Sequence, residues 1–81
     1  MDEEISYLME KLLIKLKEED VLDELKLTHV CKQIEYMTCN RDKIYYYFRF
    51  LTEKKVLIKI KTGIYKVNQE NVTLFLSKGV Y

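Results

Sequence analysis

From Ile5 to Leu16 the apolar positions recur at helical spacing. Ile5, Leu8, Met9, Leu12, Leu13 and Leu16 fall at i, i+3, i+4, i+7, i+8 and i+11, which predicts a helix of about four turns with one apolar stripe. Asp2 is placed to cap it, and Glu3 and Glu4 suit the positive end of its dipole. Tyr7 and Ile14 fall off the stripe, either as ordinary isolated surface residues or as part of a partner surface. The acidic stretch that follows, Lys17 to Leu25, reads as a frayed helix end and a connection. Leu25 and Leu27 then flank Lys26 in the alternation of a short strand, with Thr28 as the N-cap of a second helix. Val30, Cys31 and Ile34 give that helix a small apolar face, and it should end near Glu35 or Tyr36. Thr38, Cys39 and Asn40 form a break, with Asn40 as the next cap.

The third predicted helix, Arg41 to about Lys54, has the clearest wheel. Ile44, Tyr47, Phe48 and Leu51 cluster on one side; Asp42, Tyr46, Arg49 and Glu53 point the other way, and Tyr45 and Phe50 lie on opposite flanks. A two-stranded hairpin over residues 56–67 follows at once, with Thr62-Gly63 at its turn and Gly63 supplying the positive φ a tight turn needs. A last helical segment, Gln69 to Ser77, carries Val72, Phe75 and Leu76 at helical spacing, with Gly79 as its C-cap.

This order of elements in 81 residues fits one domain, α+β and mostly α. The 48% hydrophobic and 33% charged content reads as a folded chain. No run of eighteen apolar residues occurs and the chain opens Met-Asp-Glu-Glu, so neither a membrane span nor a signal peptide is expected. The default compartment is the cytoplasm of a prokaryotic or virus-infected host cell. Ala, Pro and Trp are absent while Lys, Ile, Glu and Tyr are heavily used, a bias that fits an AT-rich genome or a thermophile.

Charge adds more than its total of +1 suggests. Residues 2–24 hold Asp2, Glu3, Glu4, Glu10, Glu18, Glu19, Asp20, Asp23 and Glu24 against Lys11, Lys15 and Lys17. From Arg41 to Lys66 the balance inverts, with Arg41, Lys43, Arg49, Lys54, Lys55, Lys59, Lys61 and Lys66 against Asp42 and Glu53. A cationic half on a small domain is the electrostatic footprint of a polyanion binder; the plainer reading is a solvated basic face.

Candidate chemistry is sparse. Cys31 and Cys39 read as free thiols acting as small hydrophobes, a disulfide between them being expected only in a hyperthermophile or an oxidising compartment. With His29 they fall short of four ligands at zinc spacing, so no metal is expected. One His, no nucleophile with a base in a familiar motif and no glycine-rich phosphate loop argue against an enzyme, and no cofactor or small-molecule ligand is implied.

Helix, short strand, helix, helix and hairpin, with Ile44-Tyr-Tyr-Tyr-Phe-Arg-Phe-Leu-Thr-Glu-Lys-Lys-Val-Leu-Ile at the third helix and first wing strand, resembles the winged helix-turn-helix of MarR-like and related small regulators. The resemblance spans roughly residues 26–68 and rests on a pattern of apolar positions rather than a diagnostic motif. Two features depart from it. Lys55 stands where the family usually has Gly, and the break from Ile34 to Asn40 is longer than in the tightest units. The resemblance implies double-stranded DNA as partner, with the third helix in the major groove and the hairpin as wing. On that basis Asp42, Tyr45, Tyr46 and Arg49 would read bases, and Thr28, Arg41, Lys43, Lys59, Lys61 and Lys66 would contact the backbone. Tyr45 and Tyr46 could each donate a hydroxyl to phosphate or touch a thymine methyl, and Asp42 could accept from cytosine N4 or merely cap the helix; by packing, Tyr47 belongs to the core and Tyr45 could go either way. A two-fold operator implies a homodimer, built from the first helix, residues 69–81, or both. The rival reading is the same fold used as a protein-interaction module.

Overall fold

The computed structural model describes the backbone of residues 3–78 and side chains from Tyr7 onward. Asp2 as a cap, Gly79 as a C-cap, and the Ile5, Val80 and Tyr81 side chains lie outside the described residues. Four helices and three strands run in the order α1 (Glu3–Leu16), β1 (Val21–Leu22), α2 (Glu24–Lys32), α3 (Arg41–Glu53), β2 (Leu57–Lys61), β3 (Ile64–Val67) and α4 (Gln69–Lys78). The fold is α+β and mostly helical, with one antiparallel sheet in the order β1-β3-β2.

Each helix buries the face its spacing predicts. Met9, Leu12, Leu13 and Leu16 of α1 meet Ile44, Tyr47, Phe48 and Leu51 of α3 in one core with Leu22, Leu57 and Val67 of the sheet. Asn40 caps α3, its Oδ1 accepting the Lys43 N–H at 2.9 Å. Val56 N–H donates to Leu51 C=O at 2.9 Å and Lys55 N–H to Thr52 C=O at 3.0 Å, a Schellman closure that turns the chain into β2.

The region before α2 differs from the sequence expectation. The strand is Val21–Leu22, not Leu25 to Leu27, and it pairs with β3 as Val21↔Lys66 and Leu22↔Tyr65. The cap is Asp23, whose carboxylate accepts the Lys26 N–H at 2.8 Å, so α2 starts four residues before Thr28. Thr28 lies inside the helix and donates its hydroxyl to Glu24 C=O at 2.7 Å, which removes its capping role. The cause is a helical stripe: Leu27, Val30, Cys31 and Ile34 fall at i, i+3, i+4 and i+7 and are buried, while Leu25 is 80% exposed. The helix ends at Lys32 rather than at Glu35 or Tyr36, and the longer break turns through Tyr36 at φ 74.

The tail also differs from its expected role as spare interface. Val72 is fully buried, and Phe75 and Leu76 pack on the core as α4 lies against α1. Gln69 fixes the start of α4 by donating from Nε2 to Glu19 C=O at 2.7 Å and Leu16 C=O at 3.3 Å. The chain thus covers this stripe with its own surface. Among the described residues, no helix is long and apolar enough to cross a membrane.

Candidate nucleic-acid interface

The outward face of α3 follows from its helical repeat. With Ile44, Tyr47, Phe48 and Leu51 committed to the core, Asp42, Tyr46, Arg49 and Glu53 are left on the opposite side, and all four are exposed. Arg49 therefore stands between two carboxylate-bearing residues one and two turns away.

The two flanks of the helix carry different chemistry. Toward α2, Tyr45 Oη donates to Glu24 Oε2 at 3.2 Å, and Arg41 Nε donates to the same Oη at 3.1 Å while standing 3.7 Å from Glu24 Oε1. The guanidinium also lies 5.5 Å from the Tyr45 ring centre. The hydrogen bond to Tyr45, with the nearby Glu24 carboxylate, raises the Arg41 pKa further above a value at which it is already fully protonated. On the other flank, Lys43 sits over Tyr46 and Lys54 over Phe50, at 5.5 and 5.6 Å, and the two rings stack at 6.2 Å. Tyr46 is thus shared between the outward face and a cation–aromatic ladder.

The hairpin is held to α3 by Phe48 and Tyr65, whose rings stack at 4.7 Å. Its register divides the predicted backbone contacts. Lys59 pairs with Tyr65 and shares that ring's face, whereas Lys66 pairs with Ile58 and Val21 on the opposite face. A bulge between Lys59 and Lys61 brings Lys61 opposite Ile64, on the Lys66 side near the Gly63 turn. So Lys59 goes with α3, and Lys61 and Lys66 go with the outer face. That outer face also carries Val21, Ile58 and Ile60, exposed by 40%, 49% and 56%, features that alternation in the sequence alone did not mark.

Thr28, on α2, is half-buried and tied to its own helix. His29 on the same helix is exposed, and the Gln33 amide nitrogen donates to its Nε2 at 3.2 Å. Cys31 is buried, and that burial, reinforced by Cys39, pushes its thiol up to about 12, so it stays protonated and inert near neutral pH. Burial likewise raises the Tyr47 hydroxyl, keeping it neutral in the core. Glu24 is the polar residue that sequence reasoning missed, because its contacts with Arg41 and Tyr45 join positions far apart in the chain.

Comparison with family models, with curated proteins and with solved structures returns no match to this chain.

Proposed function

We propose that the chain is a sequence-specific double-stranded DNA-binding protein of winged helix-turn-helix type, with α3 in the major groove and the β2–β3 hairpin as the wing. The carrying observation is the rigid coupling of a helix with an exposed polar face to a basic hairpin through the Phe48–Tyr65 stack. A groove-bound helix needs a wing at a fixed offset, and two stacked rings supply one. Arg49 is the base reader best suited to guanine, since a guanidinium can donate two hydrogen bonds to O6 and N7. Tyr46 and Asp42 share its face. Lys43, Lys59, Lys61 and Lys66 supply cations for the backbone, Lys59 on the α3 side and the other two wing residues on the outer sheet face.

A second reading, the same fold serving as a protein-interaction module, is favoured by the apolar outer sheet face of Val21, Ile58 and Ile60. Salt dependence separates the two. Binding to duplex should weaken linearly in log affinity against log salt, and charge reversal at Lys59 and Lys61 should weaken selected and random duplexes alike, flattening the slope by about one unit per lost contact. Arg49→Ala should instead cost about 1 to 3 kcal/mol on a selected site and much less on random DNA. No association with duplex at low salt would replace this reading with the interaction module.

A further inference from the structure

The Glu24, Arg41 and Tyr45 cluster ties the first turn of α2 to the first turns of α3 across 21 positions of sequence. Its hydrogen bonds fix the polarity of the phenol. A tyrosine hydroxyl has one proton and two lone pairs. The proton is committed to Glu24 Oε2 and one lone pair to Arg41 Nε. What remains toward solvent is a single acceptor site, so Tyr45 cannot make the donor contact to phosphate that its residue type alone suggests. In the major groove the donors that could meet it are the amino groups at cytosine N4 and adenine N6.

The same cluster changes the charge balance at this corner. Arg41 already stands 3.7 Å from a carboxylate, whose charge offsets part of the cation that DNA would meet at this corner. A phosphate approaching here also meets the Glu24 charge. The Arg41 terminal nitrogens keep their N–H groups for a nearby acceptor.

We propose that Glu24 is a specificity-determining residue: it fixes Tyr45 as a hydrogen-bond acceptor for a base amino group and holds Arg41 back from non-specific backbone contact. This rests on the double-stranded DNA reading given above. Glu24 acts through Tyr45 and Arg41 and is a positioning residue, with no contact to the bases required of it.

The experiment uses the full chain and a duplex selected by the wild-type protein from a random pool. Affinity for the selected and for random duplex is measured across a salt series for wild type, Glu24→Gln, Glu24→Ala and Tyr45→Phe. Glu24→Gln removes the charge but keeps an acceptor for Tyr45; it should tighten random binding and steepen the salt slope by about one unit, as Arg41 becomes free to meet a phosphate. Glu24→Ala should do the same and in addition lose several-fold in the ratio of selected to random affinity. Tyr45→Phe should lose that ratio with the salt slope unchanged. Because Asp23 caps α2 and position 24 is exposed, all variants should keep a cooperative transition within a few degrees of the wild-type melting midpoint. Glu24→Ala that keeps the wild-type ratio, or tightens both duplexes equally, overturns the inference while leaving DNA binding intact. A wild-type chain that selects no duplex removes the DNA reading and this inference with it.

Discussion

At Lys55 the backbone takes φ 62, the left-handed conformation that glycine adopts freely and a β-carbon resists. The position cannot relax into another conformation without breaking the end of α3. Lys55 is the residue after the helix cap, its N–H is bonded to Thr52, and the next N–H reaches back to Leu51. Leu51 and Val56, the pair that this closure brings together, are each 1% exposed. Its carbonyl accepts from Asn71 Nδ2 at 2.8 Å, which adds a tie to α4. Glycine is the residue that a helix closure of this kind ordinarily carries at this position. Lys55→Gly should relieve about 1 to 2 kcal/mol of left-handed strain. It should give back about 0.5 to 1 kcal/mol through the freer unfolded chain. The net is a stabilisation on the order of 0.5 to 1 kcal/mol, read as a melting midpoint a few degrees higher. A lower midpoint for Lys55→Gly would mean that contacts of the lysine side chain outweigh its backbone strain.

Among the elements, α4 has the largest consequence for how the chain can be cut. Val72 is fully buried, and Gln69 donates to the Leu16 carbonyl at the end of α1 and to the Glu19 carbonyl in the turn after it. Val72→Ala should therefore cost about 2 kcal/mol, and a chain ending at Asn68 should lose its cooperative thermal transition altogether. Circular dichroism melting checks both, and a truncated chain that melts like the full length would contradict this packing. The elements also differ in how legible they were. The α1 stripe, the α3 wheel with its Asn40 cap, and the hairpin with Gly63 at its turn depend on local periodicity and turn chemistry, which a sequence displays directly. β1 depends on pairing with Tyr65 and Lys66, so nothing near Val21 and Leu22 announced it, and the alternation at Leu25 and Leu27 drew the strand to the wrong place. The helical stripe starting at Leu27 was present to be read, and Asp23 stood at its proper capping position. At the candidate site the outward positions of α3 followed from the wheel. The capture of Arg41 and Tyr45 by Glu24 did not, because it is a tertiary contact, and the division of the wing lysines depended on a bulge that no local pattern marked.

For the whole molecule, the remaining proposal is a two-fold dimer that would present two recognition helices to one operator. With the tail stripe buried within the chain, α1 is the better source of an interface. Tyr7 and Ile14 are 52% and 44% exposed and lie on the side of α1 opposite Met9, Leu12 and Leu16. Glu10 and Lys11, also exposed, sit between them. A hollow lined by Tyr7, Lys11, Ile14, Lys15, Glu35 and Tyr36 joins this stripe to the break before α3, where Tyr36 is 79% exposed. Packing two α1 helices antiparallel about a two-fold axis between positions 10 and 11 sets Tyr7 against Ile14 of the partner subunit and Glu10 against Lys11 of the partner subunit. The surface is complementary to itself, as an isologous interface must be. Copies measuring 31 × 26 × 20 Å can stand side by side at the roughly 34 Å separation of successive major grooves. Glu10→Lys should then split the dimer by facing like charges, and Glu10→Lys combined with Lys11→Glu should restore it by exchanging them. Sedimentation equilibrium at tens of micromolar reads all three chains. A monomeric wild type would refute the dimer, and a dimer indifferent to Glu10→Lys would move the axis away from α1.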